Sequence, residues 1–276
     1  MKNIALGQYF AGNSVVHGFD ARTKVILALV YILCTFVCKN VFSFFALFLS
    51  AIFLIVISRI PIKIILQALK PIIFIMLFTV VINVFWTTGE QLLFSWRFIN
   101  IYLEGVYNAL FMAVRIIVLI TGTSLFLTYT TTPIQLTDAI ERLLYPLKKL
   151  KVPVHEFAMM MTIALRFVPT LMDETERITS AQKARGADFS SGSLLKRAKA
   201  LIPILVPLFV SSFRRADELA TAMECRCYHG GDGRTRMKIT HMKASDIVSL
   251  FVISLFFISL LAINFFAKKY GLGYTM

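Results

Sequence analysis

The chain has 276 residues, 58% of them hydrophobic and only 16% charged, where a soluble domain carries about 25% charged residues. With 25 phenylalanines it holds more aromatic bulk than one soluble core of this size. The composition is that of an integral membrane protein and excludes a disordered tail, a disulfide-stapled secreted domain and a solvated coiled coil. Four cysteines, two of them inside an apolar run, are no disulfide framework. The 29 basic and 15 acidic residues leave a net charge of +14. No nucleic-acid-reading motif accompanies that charge, and basic cytoplasmic loops against anionic lipid account for it.

Met1-Lys2-Asn3-Ile4 lacks the features of a cleaved secretory signal, so the first apolar run is expected to remain as a span. That run, Val25 to Cys38, follows Asp20-Ala21-Arg22-Thr23-Lys24. Lys39-Asn40 interrupts it as a tight turn, and a second run goes from Val41 to Ile57. Two helices are expected, each marginal against the ~20 residues of a straight span. Arg59, Pro61, Lys63 and Lys70 mark a basic, amphipathic connection to a third run, Pro71 to Trp86. Thr87 to Asn100, with Gly89 and Glu90, reads as an exposed loop. A fourth helix runs from about Glu104 to Thr130, and the fifth span is Ile247 to Ala267.

Two-thirds of the charged residues fall within 131–245, which reads as three helices. The first is about Pro133 to Lys149. Thr131 or Thr132 caps it, Pro133 suits its first turn, and Lys148, Lys149 and Lys151 crowd its C-terminal end. The second runs from Pro153 to Gly186 with Pro169 inside it. The third runs from about Ser193 to Tyr228, kinked by Pro203 and Pro207. The last two have an apolar first half and a charged second half. The basic residues of the short loops place Lys2, Arg22, Lys24, Arg59, Lys63, Lys70 and the charged region in the cytoplasm. Lys39 and the Glu90/Arg97/Glu104 segment are then external, and Lys268 and Lys269 are a small violation.

The two long helices end alike. With Arg185 set on Arg226, Glu176 falls on Asp217, Ile178 on Leu219, Ser180 on Thr221, Ala181 on Ala222 and Ala184 on Cys225. Small residues make a helix end thin enough to enter a groove on another protein. A terminal Arg suits the helix dipole and pairs bidentately with a carboxylate. Two solvated helix ends with ordinary basic terminators fit the same residues.

Leu165-Arg166-Phe167-Val168-Pro169-Thr170-Leu171, running on to Ala181-Gln182-Lys183-Ala184-Arg185-Gly186-Ala187-Asp188-Phe189, resembles the transmembrane (T) component of energy-coupling-factor transporters. So does Arg214-Arg215-Ala216-Asp217-Glu218-Leu219-Ala220 followed by Ala222-Met223-Glu224-Cys225-Arg226-Cys227-Tyr228. Asp20-Ala21-Arg22-Thr23-Lys24 is similar to that family's N-terminal segment. The resemblance spans most of the chain, from about Gly7 to the last helix. The family has Ala-Arg-Gly at both helix ends; this chain has Ala184-Arg185-Gly186 and then Cys225-Arg226-Cys227. The resemblance implies a subunit that joins a substrate-binding membrane (S) component to two cytoplasmic ABC-type ATPases. It implies that Ala184, Arg185, Gly186, Cys225, Arg226 and Cys227 couple to those ATPases, with the arginines meeting carboxylates. ATP and Mg would then be bound by the partner ATPases and not by this chain.

No Gly-x-x-x-x-Gly-Lys-Ser/Thr phosphate loop occurs; Gly230, Gly231 and Gly233 sit in a polar, basic turn. No expected span has an acidic residue beyond its margin, which argues against a proton-coupled carrier. Arg115, well inside the fourth helix, is either a functional charge or a protein-facing Arg bonded to backbone carbonyls; the second is preferred. Cys225, Cys227 and His229, with His241 further on, are spaced more tightly than typical zinc ligands, and no metal site is assigned. The expected fold is an all-α polytopic membrane protein. It has about five transmembrane helices and a cytoplasmic region of three helices, two of them long coupling helices. Its divisions are 1–131, 132–245 and 246–276. The expected function is non-catalytic: energy coupling in an ATP-driven importer for a vitamin or metal ion, in the cell membrane of a prokaryote. A stand-alone channel or secondary carrier is the alternative.

Overall fold

The computed structural model describes residues 9–10, 12–88, 91–96, 99–189, 193–231 and 242–270. Lys2, Gly89, Glu90, Arg97, Gly233 and His241, which figured in the expectations above, lie outside these residues. The chain forms two compact units, one of residues 1–140 and 240–276, the other of residues 141–239.

In the first unit α1 (Ala21–Val37) starts where the Asp20 carboxylate accepts from the Arg22 N–H at 2.9 Å, a side-chain cap on the first turn. It ends at Cys38, whose extended backbone breaks the helix before α2 (Val41–Ser58); Asn40 is extended too, so the break expected at Lys39-Asn40 is present as a short extended link and not as a tight turn. Arg59, in the left-handed conformation at φ 52°, closes α2. α3 (Ile62–Trp86) then runs unbroken through Pro71. The basic connection expected before Pro71 is therefore helical, and the third span begins nine residues earlier than its apolar run. Residues 87–100 are not wholly a loop: β1 (Leu92–Trp96) and β2 (Ile99–Tyr102) pair antiparallel, with Ser95 opposite Asn100. Both segments are rich in aromatic and branched residues, which suit a pleated ribbon. α4 (Leu103–Thr123) continues into a π-helical turn, Ser124–Tyr129. α8 (Ala244–Tyr270) completes the unit.

The fold is helical, apart from that hairpin, and α2, α3, α4 with its π turn, and α8 are each long and apolar enough to cross a membrane. The first expected span, α1, has 17 residues, about 26 Å of helix against a hydrocarbon layer of about 30 Å. It is instead the packing centre of the unit: Tyr31 and Cys34 of α1, Leu47 of α2, Val118 of α4 and Leu260 of α8 share one core and are almost fully buried. Tyr31 lies so close to Gly122 of α4 that a methyl group there would overlap its ring.

Polar knots tie both ends of α1. At its start the Lys24 ammonium is buried and donates to the carbonyls of Thr130, at 2.7 Å, and His17, at 3.2 Å. The buried Asp246 carboxylate accepts from the N–H groups of Asp20 and Lys243. The beginnings of α1 and α8 and the end of the π turn thus meet at one point. At the other end of α1, Arg115 of α4 donates to the Cys38 carbonyl at 3.0 Å and lies 5.2 Å from the Phe44 ring centre. This is the backbone-bonded role preferred for Arg115. Asn264 of α8 donates to the Val37 carbonyl and accepts from Ser43. An arginine at the centre of a span costs about 2.5–3.5 kcal/mol on insertion scales. The carbonyls at the α1 terminus carry the negative end of the helix dipole and offset part of that cost.

α5 (Pro133–Leu144) bridges the two units along the chain. Thr132 caps it: the Gln135 N–H donates to the Thr132 hydroxyl, and the Gln135 side chain accepts from the Thr132 N–H, a reciprocal capping box. The helix stops at Leu144, earlier than the expected Lys149, and Tyr145–Leu150 form a 3-10 helix. Pro146 lacks the N–H that would continue the α pattern, and it disfavours α geometry at Tyr145. Among the described residues the second unit has two further helices, α6 (Val154–Ala184) and α7 (Leu194–Glu224). α7 passes through Pro203 and Pro207 without interruption.

Candidate coupling site

α6 and α7 are each 31 residues long and are closed by the same hydrogen bonds. At the end of α6 the Gly186 N–H donates to the Lys183 carbonyl and the Ala187 N–H to the Gln182 carbonyl. At the end of α7 the Cys227 N–H donates to the Glu224 carbonyl and the Tyr228 N–H to the Met223 carbonyl. Each is a Schellman cap, and every participating residue in one has its equivalent 41 positions along in the other. The residue after the cap must be left-handed. Gly186 meets this at φ 86° and Cys227 at φ 55°. Cysteine therefore ends the second helix in the way glycine ends the first, despite the side chain that makes this conformation costly.

The cap puts Arg185 and Arg226 at matching positions, the last half-helical residue of each tip. Both are exposed, as are Ala184, Gly186, Cys225 and Cys227. Arg185 and Arg226 are thus presented outward on narrow ends flanked by small side chains.

The equivalence continues back along the helices. Glu174 and Arg215 are also 41 residues apart, and they are each other's partners: Arg215 Nη2 donates to Glu174 Oε2 at 2.7 Å. Equivalent residues that meet must lie at the crossing of the two helices. Ile163, Phe167 and Leu171, which precede Glu174, line a half-open apolar cavity of about 250 Å³ together with Ala216, Leu219 and Met223, which follow Arg215. Beyond α7, Gly231 packs on the ring of His155 in the first turn of α6, and His155 pairs with Glu141 at 3.0 Å. The end of α7 therefore lies beside the start of α6, and the two helices cross in opposing senses. Each arginine stands 11 residues beyond the crossing, about 16 Å of helix, and the tips point away from each other. Arg214 and Glu218 form a weak surface pair at 3.9 Å.

Sequence reading had aligned the tips but passed over Glu174 and Arg215. The signal was the same 41-residue offset, which sets an acid on a base. Among the described residues no three His, Cys, Asp or Glu side chains are close enough to hold a metal ion. His229 instead donates from Nδ1 to the Cys227 carbonyl at 2.9 Å.

A family model described as cobalt transport protein, CbiQ, matches residues 12–239, which include both tips. An energy-coupling factor transporter transmembrane protein, EcfT, of Ruminiclostridium cellulolyticum is 53% identical over 247 residues, 90% of this chain and 92% of that protein. The chain belongs to the family of energy-coupling-factor T components. EcfT proteins of Clostridium kluyveri, 54% identical over 239 residues (86% of this chain, 88% of that one), and Bacillus subtilis, 47% over 238 residues (86% and 89%), match comparably. The chain is accordingly a multi-pass transmembrane component of a transporter and not a catalytic subunit.

Proposed function

We propose that this T component transmits ATP-driven motion from two cytoplasmic ABC-type ATPases to a substrate-binding membrane subunit, for uptake of a vitamin or a metal ion. The observation that carries this reading is the pair of identically capped, exposed, diverging arginine tips. A single partner groove does not explain two such ends pointing apart; two separate partner subunits do. Ala184, Arg185 and Gly186 dock one ATPase, and Cys225, Arg226 and Cys227 the other, each guanidinium meeting a carboxylate. ATP and Mg belong to the ATPases, since this chain has no phosphate loop.

The apolar first halves of α6 and α7 are exposed at Phe157, Met160, Phe209 and Phe213. They offer the surface on which the substrate-binding subunit rests and is turned. The N-terminus and the 141–239 unit face the cytoplasm of a prokaryotic cell, as the basic loop residues require.

Replacing both arginines, Arg185→Glu and Arg226→Glu, tests the reading. Truncating one side of a buried interfacial charge pair costs about 2–5 kcal/mol, and reversal adds repulsion. The doubly substituted chain is expected to fold and insert yet to lose its ATPases on co-purification. Normal assembly and transport by that variant would overturn the reading.

A further inference from the structure

Cys225 and Cys227 are where the two tips differ. The α6 tip has Ala184 and Gly186 at the same places and no thiol. Both tip cysteines are exposed and reduced, whereas Cys34 and Cys38 are fully buried in the core of the other unit. Thiol chemistry on this chain is thereby confined to one point, the two flanks of Arg226.

We propose that Cys225 and Cys227 are a modifiable dithiol that closes into an intramolecular disulfide by exchange with a small-molecule disulfide, and that closure undoes the cap presenting Arg226. The thiolate of one cysteine attacks a sulfur of the small disulfide and releases one small thiol, leaving a mixed disulfide on the chain. The second cysteine attacks the protein sulfur of that mixed disulfide and releases the second small thiol. The chain gives up two hydrogens and two electrons, and the small disulfide takes both.

The geometry supplies the consequence. Cys225 follows α7 directly with helical backbone angles, φ −60° and ψ −21°, and Cys227, two positions on, is left-handed at φ 55°. A disulfide between residues two apart closes a small ring that holds the Cβ atoms within about 4.5 Å and imposes its own geometry on the backbone of the residue between them. Closing the ring therefore requires the turn to open, which breaks the Cys227–Glu224 and Tyr228–Met223 backbone bonds. Cys227 already holds a left-handed conformation that disfavours any side chain, so the turn is poised to leave it. Arg226 then loses its fixed position, while Arg185 on the other tip is untouched. The effect on ATPase docking rests on the function proposed above; the thiol chemistry does not.

The test uses the full chain in lipid nanodiscs, alone and with its ATPases, exposed to 2-hydroxyethyl disulfide. In the chain alone, mass spectrometry should show loss of two hydrogens mapped to Cys225 and Cys227, restored by reductant. Hydrogen exchange at the amides of residues 227 and 228 should accelerate roughly tenfold or more, as expected when two capping hydrogen bonds are lost. Adducts that persist on both cysteines without ring closure, or closure with unchanged exchange, would overturn the proposal. The double variant Cys225→Ala/Cys227→Gly, which restores the α6-type tip, should be indifferent to the reagent. In the complex, oxidised wild-type chain should retain its ATPases roughly tenfold less well, and prior assembly should protect the thiols. If the ring closes and the cap opens while ATPase retention is unchanged, the dithiol stands and the docking role of Arg226 falls.

Discussion

The Glu174–Arg215 pair is the pin at which α6 and α7 cross, and its removal has a calculable effect. The two side chains are 31% and 23% exposed, with Arg215 the more open, at 2.7 Å. At that distance the Coulomb attraction is about 1.5 kcal/mol in bulk water and about 6 kcal/mol at an effective dielectric of 20, before desolvation. Discounted for solvent screening and side-chain entropy, the net contribution is about 1–2 kcal/mol. Glu174→Arg or Arg215→Glu alone should therefore accelerate hydrogen exchange in the segments on either side of the crossing by about 5–30-fold. The exchange is read by mass spectrometry on the full chain in nanodiscs. The combined swap, Glu174→Arg with Arg215→Glu, restores opposite charges at the same place and should recover at least half of the loss. Single variants that exchange like wild type, or a swap whose effect is the sum of the two single changes, would refute the pair as the pin of the crossing.

Other substitutions report on the parts that hold the arms and the bundle. Arg115→Met removes the donor to the Cys38 carbonyl and the contact with Phe44; thermal unfolding in detergent should show a loss of about 1–3 kcal/mol, while solute affinity of the assembled transporter stays unchanged. Gly122→Ala pushes a methyl group into the Tyr31 ring and should destabilise by about 1–3 kcal/mol, measured the same way. Cys227→Gly keeps the cap of α7 and removes the left-handed side-chain penalty, so exchange at the end of α7 should slow, with a gain of about 1 kcal/mol.

The sequence exposed the parts of this fold that composition and local pattern determine. Long apolar runs announced the spans, and Gly186 announced the end of α6, because glycine is the residue that leaves a helix most cheaply. Cys227 carried no such signal, and only its alignment with Gly186 marked it as a helix end. The stop at Leu144 was written in Pro146, but the lysines that follow read as the basic C-terminal end of the same helix. Contacts between distant residues had no local trace. The Lys24 ammonium reaches the Thr130 carbonyl 106 residues away, and Asp246 accepts from Asp20 across 226 residues. Such partners emerge only when α1, α4 and α8 pack. Glu174 and Arg215 are an intermediate case, since the internal offset names them once it is carried past the tips.

Site-specific photocross-linking from the tips tests the account most directly. With benzoylphenylalanine in place of Ala184 and, separately, of Cys225, in chain co-expressed with its ATPases and substrate-binding subunit, each position should capture an ATPase. A chain labelled at both positions should capture two. Adducts to lipid alone, or no protein adduct from either position in an assembled and active transporter, would contradict it.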